Sequence, residues 1–166
     1  APTSLREPAH RAIPKEAEDW DIERIIRKFA DAAERMQAGG MDGIEIESYG
    51  HLFDQFYSPT TNFREDEFGG SLENRLRFST RVLGAMRERV GPEFILVLRM
   101  SIDEVVPEGL DYNAGIEILK EFEATGLIDF VNVIRGLVAT DAQLSNVIPI
   151  HGMPAAPHLD FAGLVK

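Results

Sequence analysis

Phe94–Met100 reads FILVLRM, an apolar run interrupted once, by Arg99 near its C-terminal end. A strand with one face in water alternates apolar and polar residues, whereas a strand covered on both faces does not. Near-continuous Ile, Leu and Val is therefore the pattern of a strand in a parallel sheet flanked by crossover helices. Gly43–Ser48, GIEIES, lies upstream and does alternate, with Ile44 and Ile46 on one side and Glu45 and Glu47 on the other. Asp129–Ile134, DFVNVI, is again mainly apolar, with Asn132 as the polar interruption and Arg135 just beyond it.

Helical periodicity fills the space around these strands. From Trp20, residues Ile22, Ile25, Ile26, Phe29, Ala32, Ala33 and Met36 recur at helical spacing and stop at Gly39 and Gly40. Ser71 is a good N-cap, with Glu73 in the first turn. Leu72, Leu76, Ser79, Leu83, Met86 and Val90 mark the inner face of a second helix, which Gly91 and Pro92 end. A third helix is expected over Asn113–Ala124, closing at Gly126. Ala1–Ala17, with Pro2, Pro8 and Pro14, reads as an irregular approach, and Gly136–Lys166, with Pro149, Pro154 and Pro157, offers no clear element. Tyr49–Gly70 reads as a long loop, and loops of that length are usually functional. Helix and strand alternate at a spacing that predicts an α/β fold with a parallel sheet, either doubly wound or a (β/α)8 barrel.

Composition narrows the functional classes. The chain has 166 residues, 44% hydrophobic and 27% charged, which is globular composition. A domain of this size removes roughly 70% of its unfolded surface from water. No apolar run approaches the ~20 residues that cross a bilayer. No charged-then-apolar leader opens the chain, so a soluble, cytoplasmic protein is expected. The first residue is Ala1 and not methionine, which points to processing or truncation. Seventeen basic against twenty-eight acidic residues give a net charge of −11. That charge disfavours nucleic acid and anionic membranes as partners and favours cationic or neutral ligands. With no cysteine, disulfides and thiolate chemistry are excluded within these residues. His10, His51, His151 and His158 have no zinc-type spacing, so no metal site is expected. There is no dinucleotide fingerprint and no phosphate loop: Gly39 and Gly40 precede a strand instead of following one.

In either parallel architecture the chemistry sits beyond the C-terminal ends of the strands. That places Glu47–His51, Arg99–Asp103 and Asn132–Arg135 in the candidate region. In a barrel Ile44 and Ile46 would face the helices, and Glu45 and Glu47 the interior, with Glu47 nearer the mouth. Carboxylates inside a barrel must be paired, because an isolated buried charge costs several kcal/mol. Arg99 is the expected partner. It either forms a structural ion pair with Glu45 or holds the anionic, electron-rich edge of a cofactor.

Gln55–Phe78, QFYSPTTNFREDEFGGSLENRLRF, resembles the signature of the Old Yellow Enzyme family of FMN-dependent oxidoreductases (NADH:flavin oxidoreductases). Its setting matches too: a strand reading DGIEI precedes it, and a strand ending in LRMS follows the helix. Arg6–Ile22, REPAHRAIPKEAEDWDI, is most similar to the branch containing trimethylamine dehydrogenase, dienoyl-CoA reductase and N-methyl amino acid demethylases. The resemblance implies a partial (β/α)8 barrel. Residues 1–166 would be one domain segment, the central portion of an FMN-binding barrel with three consecutive βα units whose strands lie near 43–48, 94–100 and 129–134.

It further implies that Arg99 contacts the N1 and O2 edge of the flavin, where its charge would stabilise the reduced, anionic form. The phosphate-binding loops would lie outside this segment, so these residues alone should bind FMN poorly, and an iron–sulfur cluster could lie beyond them. Where the family commonly reads EIHGAHGYL, this chain reads EIESYGHL, one residue shorter. Glu47 then falls at a substrate-binding position, His51 at the place of a proton-donating tyrosine, and Tyr49 close by. Glu47, Tyr49 and His51 are thus the candidate catalytic residues. The change weakens an NAD(P)H-dependent enoate or dienoyl reductase reading. It suits oxidation of a methylated amine, which needs no proton donor to carbon; a carboxylate and an aromatic ring suit a cationic amine. The alternative of another class is a non-catalytic barrel fragment that self-associates through open strand edges.

Overall fold

A computed structural model describes residues 1–8 and 11–166. Three strands, β1 (Gly43–Ser48), β2 (Ile95–Asp103) and β3 (Phe130–Arg135), form a parallel sheet in chain order. Helices α1 (Asp19–Ala38), α3 (Leu72–Val90) and α4 (Tyr112–Thr125) pack on one side of it. The register sets Glu47 opposite Arg99 and Arg99 opposite Asn132. One face therefore carries Ile46, Leu96, Leu98 and Met100, all buried beneath the helices. The other carries Glu45, Glu47, Val97, Arg99, Phe130 and Asn132. This is the side assignment expected from the alternation of GIEIES.

The core joins Ile22 and Ile26 of α1, Leu83 and Met86 of α3, the apolar face of β2, and Ile118 and Phe122 of α4. Helix α4 approaches β2 closely enough that a Cβ on Gly115 would lie 1.9 Å from the Ile102 carbonyl oxygen, so that position admits only glycine. Ser71 accepts the Asn74 N–H as the N-cap of α3, and Asp111 accepts the Ala114 N–H at α4. Phe130, by contrast, is 56% exposed on the open face, and neither β1 nor β3 has an outer neighbour among the described residues.

Three expectations need correction. Tyr49–Gly70 is not one irregular loop, because Leu52–Tyr57 forms a helix, α2. Six residues carry too little periodicity to be recognised. What fixes α2 is tertiary: Phe53 and Phe56 reach the core, where Phe56 stacks on Phe78 with ring centroids 4.2 Å apart. The rest of the segment is held by side chains that mimic backbone partners. Asn62 donates to the carbonyls of Phe56 and Phe68, and Arg64 donates to those of Pro2 and Ala17 while pairing with Asp66. Second, β2 runs to Asp103, beyond its apolar run, because Ser101 and Asp103 continue the ladder to β3 through a register shift. Third, the tail holds two short helices, α5 (Asp141–Val147) and α6 (Leu159–Val165). Val147 of α5 packs on Tyr49 and Ile134, a contact local sequence does not encode. No helix among the described residues is long and apolar enough to cross a membrane.

Candidate functional site

The open face of the sheet carries a polar row at mid-strand. Arg99 Nη2 lies 2.5 Å from Glu45 Oε1, and Asn132 Nδ2 donates to Glu45 Oε2 at 2.9 Å. The row thus spans all three strands, in the order carboxylate, guanidinium, amide along β1, β2 and β3. Arg99 is 38% exposed through its side chain, yet its Nε is buried and has no hydrogen-bond partner. With Nη2 committed to Glu45 and Nε shielded, the exposed remainder of the guanidinium is what a ligand on the open face would meet. This fits the anionic edge of a flavin: the planar fork can donate to two adjacent acceptor atoms while Glu45 fixes its orientation. Asn132 is the member whose role sequence reasoning left open. Its signal was a lone amide in an apolar strand.

Glu47, opposite Arg99 and two residues nearer the mouth than Glu45 on β1, is exposed and without an ion pair or hydrogen bond to another described residue. Tyr49 is brought to the same end, but its side chain is only 9% exposed and packs with Ile134 and Val147. His51 is the exposed N-cap of α2, with Nδ1 3.2 Å from the Tyr49 carbonyl oxygen. Gly50 between them has φ +68°, and a Cβ there would lie 2.0 Å from a Val138 methyl carbon. The turn that carries Tyr49 and His51 is therefore clamped against the segment after β3. Glu47 and Arg99 share the open face, whereas Tyr49 turns into a small apolar cluster.

Behind this turn lie two buried acids that the sequence analysis did not single out. Asp54 is 4% exposed and accepts the Gly50 N–H, while its Oδ1 has no partner. Burial pushes its carboxyl up to about 7; the Gly50 N–H works against this and the charge of Glu104 adds to it. Glu104, 1% exposed, accepts from Leu110 N at 2.8 Å and Ser58 Oγ at 3.1 Å, and its pKa is also raised by burial. The signal available was an acid close to bulky apolar residues in each of FDQF and IDEVV, but nothing in the sequence brings the two together. Among the described residues no group of three or more His, Cys, Asp or Glu could hold a metal ion, and His10 lies outside the described residues.

A parallel sheet covered by helices on one face, with a polar row on the other and its loops gathered at the C-terminal strand ends, is the architecture of a (β/α)8-barrel enzyme cut lengthwise. The family model of the NADH:flavin oxidoreductase / NADH oxidase family matches residues 1–139, and the chain belongs to that family. It is 59% identical over its whole length to a probable N-methylproline demethylase of Rhizobium meliloti (strain 1021), covering 24% of that protein. It is 44% identical over 167 aligned positions, again all of this chain and 24% of the relative, to an N,N-dimethylglycine/sarcosine dehydrogenase of Chromohalobacter salexigens. Among solved structures, 2-naphthoyl-CoA reductase in complex with 2-naphthoyl-CoA superposes with a TM-score of 0.78 at 33% identity, over 84% of this chain and 21% of that one. The chain thus spans about a quarter of the length of the curated relatives it matches.

Proposed function

We propose that this segment is the central part of an FMN-dependent oxidoreductase that oxidises a methylated amine, as a dehydrogenase or N-demethylase. The observation that carries the reading is the open face itself: a partly exposed guanidinium fixed by Glu45 at mid-strand and, opposite it on β1, a carboxylate with no partner among the described residues. FMN, when bound, supplies the acceptor for a hydride leaving the N-methyl carbon. Arg99, oriented by Glu45, would hold the anionic edge of the flavin, and Asn132 keeps Glu45 in place. Glu47 binds the cationic amine at the mouth. His51 lines the approach, and Tyr49 sets the shape of the turn between them. The packing of Tyr49 supports oxidation over alkene reduction, since a phenol held among Ile134 and Val147 is poorly placed to protonate carbon. The similarity to two amine-oxidising relatives points the same way.

The open edges of β1 and β3, and Phe130, are covered in this reading by the remaining strands of a longer chain. These residues by themselves should then retain little FMN, and any iron–sulfur cluster would lie outside them. The second reading, an NAD(P)H-dependent enoyl or dienoyl reductase, is favoured by the similarity to 2-naphthoyl-CoA reductase. Anaerobic mixing of the full-length protein with N-methyl amino acids or with NADPH separates the two. Loss of the oxidised-flavin absorbance on adding the amine is the expected result. Loss with NADPH alone, followed by turnover of a conjugated alkene, would replace the first reading with the second.

A further inference from the structure

A cavity of about 350 Å³ lies between the N-terminal segment and the loops that follow β1, β2 and β3. Its walls include Asp54, Glu104 and Gln143, with Leu5, Val106 and Val138 supplying apolar surface. None of Glu45, Glu47, Arg99 and Asn132 lines it. Asp54 and Gln143, which line it, each carry a buried acceptor, Oδ1 and Oε1, with no hydrogen-bond partner among the described residues. Bare buried acceptors cost about 1–3 kcal/mol each, so a cavity that keeps two of them is built for a donor.

The charged groups around it do not meet that need. Asp54, Glu104 and Glu7 are acidic. Arg6 Nε donates to the Arg11 carbonyl at 3.4 Å. We propose that this cavity binds a small protonated alkylamine carrying at least two N–H groups, which it donates to Asp54 Oδ1 and Gln143 Oε1 while its alkyl groups lie against Leu5, Val106 and Val138. A cation with two N–H groups can satisfy both acceptors and is drawn to the acidic side of the cavity formed by Asp54 and Glu104. The volume is within the range of small-molecule sites. The inference stands on the cavity and its unpartnered atoms, independently of the chemistry proposed for the open face.

Titration calorimetry of the full-length protein with dimethylammonium, trimethylammonium and tetramethylammonium chlorides tests it. These probes carry two, one and no N–H groups in that order. Dimethylammonium should bind most tightly and tetramethylammonium at least about tenfold more weakly, given the usual strength of hydrogen bonds to charged groups. Asp54→Asn should weaken dimethylammonium by at least about tenfold, and Gln143→Leu should remove the preference for two N–H groups over one. Binding at this cavity should persist in Glu47→Gln, which separates it from amine binding on the open face. An isotherm for Asp54→Asn that superimposes on that of the unsubstituted protein would overturn the proposal, as would equal affinities across the three probes. If Asp54→Asn proves unfolded by circular dichroism, Gln143→Leu decides alone: an unchanged two-over-one preference overturns the proposal.

Discussion

The two ends of the sheet are built in opposite ways. At the N-terminal end Arg87 of α3, 15% exposed, donates to the carbonyls of Gly91, Phe94 and Leu127 and pairs with Asp129 at 2.8 Å. Asp129 in turn accepts the Leu96 N–H at 2.7 Å, tying the start of β3 to β2. Burial would raise the Asp129 carboxyl, but the Leu96 N–H and the Arg87 guanidinium outweigh it and hold the pKa below the usual carboxylate range. At the C-terminal end the polar groups are incompletely matched: Asp54 Oδ1 and Gln143 Oε1 are buried without partners among the described residues, and Asp54 sits beside a second buried acid. Satisfied polar groups stabilise a fold, whereas bare ones are tolerated where something else is meant to bind. One end of this sheet is internally satisfied, and the other keeps bare polar groups.

Substitutions at the two ends should therefore move different observables. Arg87→Ala should cost the most stability, about 3 kcal/mol, because it leaves several carbonyls and the Asp129 carboxylate unmatched. Denaturant unfolding of the full-length protein measures this, and a loss below about 1 kcal/mol would break the contrast. Arg99→Ala should leave stability within about 1 kcal/mol, its ion pair being partly exposed. It should weaken flavin binding or slow flavin reduction at least tenfold, since removing one donor to a developing anion commonly costs about 2.7–4 kcal/mol. Normal flavin content with an unchanged reduction rate would refute an N1 contact.

Asp54 gives a smaller, pH-dependent effect whose sign follows from its raised pKa. The folded form holds its proton up to about pH 7 while the unfolded form loses it near 4, so the folded state binds more protons in that window. This group's contribution to stability is therefore greatest below the unfolded value and is lost as pH rises to 7. Asp54→Asn should raise the unfolding free energy at pH 8 by on the order of 2 kcal/mol and change it little near pH 4. Thermal unfolding at the two pH values measures the difference, and saturating dimethylammonium should shrink it at pH 8. The smallest effect is expected for Glu47→Gln, a severalfold loss of methylated-amine affinity at constant flavin content. Unaltered affinity with reduced stability would make Glu47 a structural residue.

Much of this was legible in sequence, for physical reasons that differ by element. Side chains alternate strictly along a strand, so GIEIES alone placed Glu45 and Glu47 opposite the helices, and the buried run before Arg99 placed that arginine beside them. Local chemistry likewise gave the stops of α1, α3 and α4, since Gly40, Gly91 and Gly126 just past their ends adopt positive φ. The pairing of Glu45 with Arg99 followed because few other partners could neutralise either charge on that face.

Only the tertiary structure decided the rest. Helix α2 depends on Phe53 and Phe56 finding Phe78, a contact across the long segment that its six residues cannot announce. Tyr49 could be read from sequence as a substrate contact, but whether its ring faces a ligand or the apolar cluster of Ile134 and Val147 depends on where the chain after β3 returns. The same holds for Asp54, Glu104 and Gln143, which are far apart along the chain and meet only because three strand-end loops converge. A period in sequence fixes which face of an element a residue occupies; the packing of separate elements fixes what that face meets.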